Sequence, residues 1–202
     1  MWRSLGDKLD TMGIDAVVSV DGGTLGCLGN HARLHGLLSD QPGWSVILED
    51  DALPINDFSC DLAYLLDRSP TQIVSLYLGT GYPSNWQPRI KKALEADTTW
   101  IIGPSLLHAV GYAISPDIKL LVANYLASGP RMEAPDAAIS HWARGHGVDI
   151  SYTNPSLVDH RDTEPAVKHR PGNFSSRRNR PRHAHNTRQR LTWTDNSVIM
   201  SR

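Results

Sequence analysis

Residues 44–53 read WSVILEDDAL: an apolar run enters three adjacent carboxylates, Glu49, Asp50 and Asp51, and apolar character then returns. Like charges placed so close repel one another, so the cluster is costly unless something offsets it. Three chemistries are open. The carboxylates can cap the next helix or form ion pairs in a solvated turn. They can hold a hard divalent cation, Mg²⁺ or Mn²⁺, whose remaining positions go to water and substrate phosphates and whose charge removes the repulsion. Or two of them can divide general acid and base work. Late in the chain, His160, Arg161 and Asp162 add a second polar cluster, and with the acidic triplet it can also be read as a two-metal phosphodiesterase or nuclease site.

Other residues carry a structural reading, some with a chemical one beside it. Asp136 follows Pro135 where a helix should begin, so it reads as a first-turn carboxylate stabilised by the helix dipole. His31 lies on a helical segment and is either a satisfied structural histidine or part of a binding site. Gly26 either starts that helix or lets a ligand approach the backbone. Tyr112 reads as a core residue with a tethered hydroxyl. Trp86, in a polar loop, reads as a packing residue. Cys27 and Cys60 read as buried, inert thiols, reduced in a cytoplasmic protein.

These residues need a scaffold, and the hydrophobic pattern supplies one. Residues 2–12 have helical spacing, with Trp2, Leu5, Leu9 and Met12 on one face. A strand is expected at 16–20, then a helix carrying Leu34, Leu37 and Leu38, then a strand in WSVILEDD, with Val46, Ile47 and Leu48 apolar, that ends in the triplet. A helix from Phe58 to Leu66, a strand in TQIVSLYLG, a long polar loop at 80–90, a strand and helix across 108–128, a helix from Pro135 and a closing strand to His160 complete the pattern. Strands alternating with helices predict an α/β, Rossmann-like domain with a mostly parallel sheet flanked by helices. In such sheets ligands bind at the carboxyl ends of strands, which is where the triplet lies.

The chain of 202 residues, 40% of them hydrophobic, is long enough for one domain with a core. No run approaches the roughly 20 apolar residues of a membrane span, and the first residues lack the apolar centre of an export signal, so no membrane partner is expected. Net charge is −1 but lopsided: residues 1–159 hold 10 Lys and Arg against 18 Asp and Glu, whereas 160–202 hold 10 against 3.

The segment VSVDGGTLGCLGNHARLHGLLSDQPGWSVILEDDALPINDF resembles the family 25 glycosyltransferases, the lipopolysaccharide and collagen sugar transferases. Asp21-Gly22 matches their strand-closing turn. Gly26, Cys27 and His31 match a G-x-x-G-C-x-x-S-H motif, with Asn30 where Ser is usual, and Glu49-Asp50-Asp51 matches their E-D-D. GYAISPDIKLL, with Gly111 and Tyr112, PDAAISHW and NPSLVDHRD are similar to later segments, so the likeness spans roughly residues 2–165. It implies a GT-A fold and metal-dependent transfer of a sugar from a nucleotide-sugar donor. It further implies Asp51 and His160 as ligands of Mn²⁺ or Mg²⁺, Gly26, His31, Glu49 and Asp50 on the donor side, and Asp136 as the acceptor-side catalytic residue. MWRSLGDKL matches the helix that follows the family's usual base-binding first strand, so that strand is expected either to precede Met1 or to be missing from a minimal form.

The domain is expected to span 1–165, with 166–202 a basic, disordered tail. RPGNFSSRRNRPRHAHNTRQR is rich in arginine and poor in aliphatics, so it buries too little to offset its ordering entropy. LTWTDNSVIM after it has strand character and can dock back. Arginines within 170–190 suit a nucleic acid or another polyanion. The acceptor is therefore open among a protein, a glycan and DNA. The alternative function is a catalytically reduced, transferase-like domain that binds nucleic acid through its tail, or a DNA-modifying glycosyltransferase.

Overall fold

The computed structural model describes residues 2–129, 134–161, 183–187 and 192–200. In chain order the elements are α1 (Trp2–Thr11), α2 (Gly26–Leu38), β1 (Ser45–Leu48), β2 (Ala52–Pro54), α3 (Phe58–Asp67), β3 (Ile73–Ser75), α4 (Gln87–Leu94), β4 (Trp100–Gly103), β5 (Gly111–Ile114), α5 (Lys119–Ala127), α6 (Pro135–Gly145), β6 (Ile150–Thr153), β7 (Val158–His160) and β8 (Ser197–Ile199). Six strands form one sheet in the order β1-β5-β3-β6-β4-β8, and β2 and β7 form a separate two-stranded ribbon. No helix among the described residues is long and apolar enough to cross a membrane.

Alternation along the strands divides the core between the two faces of the sheet. Ile47, Ile73, Ile101, Tyr112, Ile114 and Ile150 pack with side chains of α4, α5 and α6 and the inner residues of α2. Val46, Val74, Trp100 and Ala113 pack on the other side with Leu5 and Leu9 of α1, Phe58 and Leu65 of α3, and Leu157 and Val158 where the chain enters β7. Each of these side chains that is fully buried contributes about 1.5–3 kcal/mol. Lys119, itself buried, donates from Nζ to the carbonyls of Gln41 and Gly43 and pins the turn that leads into β1.

The α/β class is present, but the sheet is mixed rather than mostly parallel. β1–β5, β3–β5 and β4–β6 are antiparallel, while β3–β6 and β4–β8 are parallel. Alternating helices and strands set the class without setting strand direction, because a strand that returns without a helical crossover reverses. Here β5 enters from the irregular stretch 104–110, not from a helix, and runs against both its neighbours.

Residues 16–20 do not form the expected strand. Val17, Val18 and Val20 are exposed, and the segment is held by polar contacts instead: Arg33 donates to Ser19 Oγ and to the Val20 carbonyl, and Asn30 Nδ2 donates to the Ser19 carbonyl. A strand needs a ladder partner, and among the described residues this one has none. The 80–90 loop is shorter than expected, since α4 starts at Gln87. Trp86 there packs on the core, with the Arg89 guanidinium 5.2 Å from its ring centre.

Residues 183–187, inside the segment expected to be disordered, hydrogen-bond to the domain, and β8 falls in LTWTDNSVIM, the stretch with strand character. Residues 183–187 lie along the domain: Thr80 N donates to the His183 carbonyl, His185 N to Leu78 and Ser156 N to Asn186. β8 extends the sheet beside β4, Met200 is 3% exposed in the core, and Trp193 Nε1 donates to Asp61. Asp162 and the proposed polyanion-binding arginines lie outside the described residues.

Candidate functional site

The triplet sits where β1 gives way to β2. Glu49 N still donates to the Val110 carbonyl beside β5, and Ala52 N donates to the Glu49 carbonyl, so the three acids form a tight turn between two strands. β2 then pairs with β7 in a register that sets Ala52 opposite His160, and Arg161 N donates to the Asp51 carbonyl. That register fixes Asp51 against His160: Asp51 Oδ2 and His160 Nε2 are 3.1 Å apart, and the histidine is buried. Asp51 Oδ1 and His160 Nδ1 are both buried with no hydrogen-bond partner, so each side chain has a spare atom. Tyr77 lies against His160 with ring centres 6.1 Å apart, and His108 packs edge-on to Tyr77 at 5.2 Å. Burial first, and then the nearby His160, push the His108 imidazole down to about 4.

The other end of the triplet faces α2. Asp21 starts that helix: its carboxylate accepts N–H groups from Gly23, Thr24, Leu25 and Gly26 at 2.8–3.2 Å. These bonds, led by that from Leu25, hold its carboxyl below the usual range. Gly26 has φ +67°, the left-handed region that glycine enters without strain; a Cβ there would meet nothing within 4 Å. A helix so started carries Cys27, His31 and His35 at four-residue spacing on one face. His31 Nε2 lies 3.5 Å from Glu49 Oε1. Its Nδ1 shares the Tyr112 hydroxyl with His35 Nε2, at 2.8 and 2.9 Å. Tyr112 is 0% exposed, and burial raises its hydroxyl well above its ordinary value. Burial, with His31 adjacent, pushes His35 down to about 3 and keeps it neutral.

Cys27 is exposed, as is Cys60, which corrects the reading of both as buried thiols. Even so, partial burial of the sulfur, together with Glu49, Asp136, Asp51 and Asp50 around it, pushes the Cys27 thiol up to about 12. Asp50 points outward, and partial burial and its two acidic neighbours raise its carboxyl. Asp136 stands in the first turn of α6 and accepts the Ala137 N–H at 2.8 Å. Burial, reinforced by Glu49, outweighs that bond and raises its carboxyl to about 6. The helix start therefore does not lower its carboxyl as the dipole alone would predict.

Gly26, His31, Glu49, Asp50, Asp51, Asp136 and His160, drawn from four stretches of chain, thus gather around one turn. His35, Tyr77 and His108 belong to the same neighbourhood and were not singled out from sequence. The four-residue spacing of His31 and His35 was a usable signal; nothing local marks Tyr77 or His108. Asp51 and His160 fit a small cation: two ligand atoms at about 2.1 Å from an octahedral centre and at right angles lie about 3 Å apart, close to the 3.1 Å seen. Without a cation the same distance is a hydrogen bond from imidazole to carboxylate.

No protein-family model matches the chain, and no curated protein matches it.

Proposed function

We propose that this protein is a metal-dependent glycosyltransferase that moves a sugar from a nucleotide-sugar donor to an acceptor. The observation that carries the reading is the pairing of Asp51 with His160, brought together by the β2–β7 register at the end of an acid-tipped strand, each with an unpartnered polar atom. The GT-A fold and the likeness to family 25 are part of this proposal.

Asp51 and His160 would hold Mn²⁺ or Mg²⁺, and the ion would supply positive charge to the diphosphate as it leaves. The protein's own groups do the rest. Glu49 and Asp50 precede Asp51 in the turn and are placed to orient the donor, Asp50 from its exposed side. Asp136 is the candidate base toward the acceptor hydroxyl. A carboxyl raised to about 6 is ionised at neutral pH yet more basic than an ordinary aspartate, which suits proton abstraction near pH 7.

A screen of nucleotide sugars with Mn²⁺, read as release of free sugar or nucleoside diphosphate, tests this. Turnover of at least one donor, lost in Asp51→Asn, is expected. No turnover of any donor, or turnover unaffected by Asp51→Asn, would count against the assignment.

A further inference from the structure

We propose that Cys27, His31 and Glu49 form a separate site for a borderline-soft divalent cation, Zn²⁺ in particular. The site shares the acidic turn with the Asp51–His160 pair but no ligand with it. The inference does not depend on sugar transfer.

The geometry comes from two elements. Cys27 and His31 stand four residues apart on α2, so their side chains lie on the same face one turn apart. Glu49 reaches that face from the end of β1. One donor atom from each of the three lies within 4.8 Å of the others. Tetrahedral zinc, with bonds of about 2.0–2.3 Å, sets its donors about 3.3–3.6 Å apart. His31 Nε2 and Glu49 Oε1 already meet this at 3.5 Å. Cys27 is exposed in the first turn of α2, and its sulfur, within 4.8 Å of the other two donors, has at most about 1 Å to move to close the set.

The support behind His31 matches what a zinc-bound imidazole requires. A ligating histidine donates its other ring N–H to a fixed partner, and that bond sets the tautomer. The Tyr112 hydroxyl lies 2.8 Å from His31 Nδ1 and can accept that hydrogen. Tyr112 can in turn donate to His35 Nε2, 2.9 Å away. All three side chains are buried, so the ring is held with Nε2 toward Glu49.

The donor set decides the metal. Thiolate and imidazole select zinc over magnesium or manganese, which prefer oxygen. Asp50, Asp51 and Asp136, whose charges act on the Cys27 sulfur, add a negative field that favours a cation. On binding, the Cys27 S–H bond breaks, the thiolate bonds the metal, and the proton passes to solvent. Three protein donors leave a fourth position for water or a ligand, as in zinc sites that are not purely structural.

Co²⁺ added to the full chain is the probe, because a thiolate–cobalt bond gives a near-ultraviolet charge-transfer band. The wild-type protein should show the band at one equivalent, and one equivalent of Zn²⁺ should abolish it. Cys27→Ser should lose it, Cys60→Ser and Asp51→Asn should keep it, and Glu49→Gln should weaken binding more than about tenfold, the lower end of what even outer-shell changes cost a site. A second measurement needs no variant: Zn²⁺ should slow alkylation of Cys27 but not of Cys60, read by mass spectrometry. Absence of the band, its survival in Cys27→Ser, its loss in Asp51→Asn, or equal alkylation of both cysteines with and without Zn²⁺ would each overturn the proposal.

Discussion

Lowering the pH from 7 to 5 should destabilise this protein, by an amount that its buried titratable groups set. His35 is held down to about 3 and His108 to about 4, against 6.5 when unfolded. Their neutral forms fit the fold, so their contribution is complete above pH 6.5 and is lost as the pH falls from there toward 3–4. Between pH 7 and 5 the unfolded chain takes up protons that the native state refuses, at a cost of about 1.9 kcal/mol for each histidine. Asp136 opposes this. Its folded value of about 6 lies above the 3.8 of the unfolded group, so its contribution is complete below 3.8 and is lost as the pH rises through 6. Acidification to pH 5 therefore recovers about 1.3 kcal/mol. His185 is shifted in the sense of the two histidines and Asp50 in the sense of Asp136, so these also pull against each other. The net loss is about 2–3 kcal/mol. With a urea dependence of about 2 kcal/mol per molar, the unfolding midpoint should drop by roughly 1 M. Asp136→Asn removes the opposing group and should enlarge the drop by about half. An unchanged or higher midpoint at pH 5 would refute the burial of two neutral histidines. A drop no larger in Asp136→Asn would refute the raised carboxyl.

Three further outcomes follow from particular contacts. Tyr112→Phe strips the shared hydroxyl from His31 and His35 and should cost about 2–4 kcal/mol in urea unfolding, since two buried ring nitrogens lose their partner; a loss under about 0.5 kcal/mol would mean that the bridge is not made. Met200→Ala should cost about 2–5 kcal/mol if the chain end packs in the core as β8 places it, and a neutral result would detach that segment. Asp136→Asn should lower turnover roughly 100-fold or more, the scale of a general base, with donor affinity held. Less than about tenfold would reduce the residue to a helix-start carboxylate.

The sequence was legible where pattern and physics agree. Apolar period and breakers place helices from Phe58 to Leu66 and from Pro135, within a residue of the observed Phe58–Asp67 and at the observed Pro135, and the strand that ends in the triplet. It failed where a segment's fate rests on distant neighbours. Val17, Val18 and Val20 have strand character, but with no ladder partner among the described residues the segment is pinned by Arg33 and Asn30 and its valines face solvent. Strand direction escapes the local pattern for the same reason, since β5 takes its direction from the connection that feeds it. In the candidate site, the acids and His160 stand out by type, yet their meeting depends on the Ala52–His160 register, which no local pattern encodes. His108 and Tyr77 join the neighbourhood only through folding. The arginine-rich composition of 166–190 gave no hint that 183–187 would hydrogen-bond to residues 78–80.

The central claim is that Asp51 and His160 bind a divalent cation together with a nucleoside diphosphate. It is tested most directly by the melting temperature of the wild-type protein and of Asp51→Asn, with Mn²⁺ and nucleoside diphosphate supplied separately and together. Ligand that binds only the native state raises stability by about 2.7 kcal/mol at a hundredfold excess over Kd. The account predicts a clear rise for the wild type only when both are present, and no rise for Asp51→Asn, whose melting temperature without ligand stays close to that of the wild type. Equal shifts in the two proteins, or none in the wild type across the common nucleoside diphosphates, would contradict it.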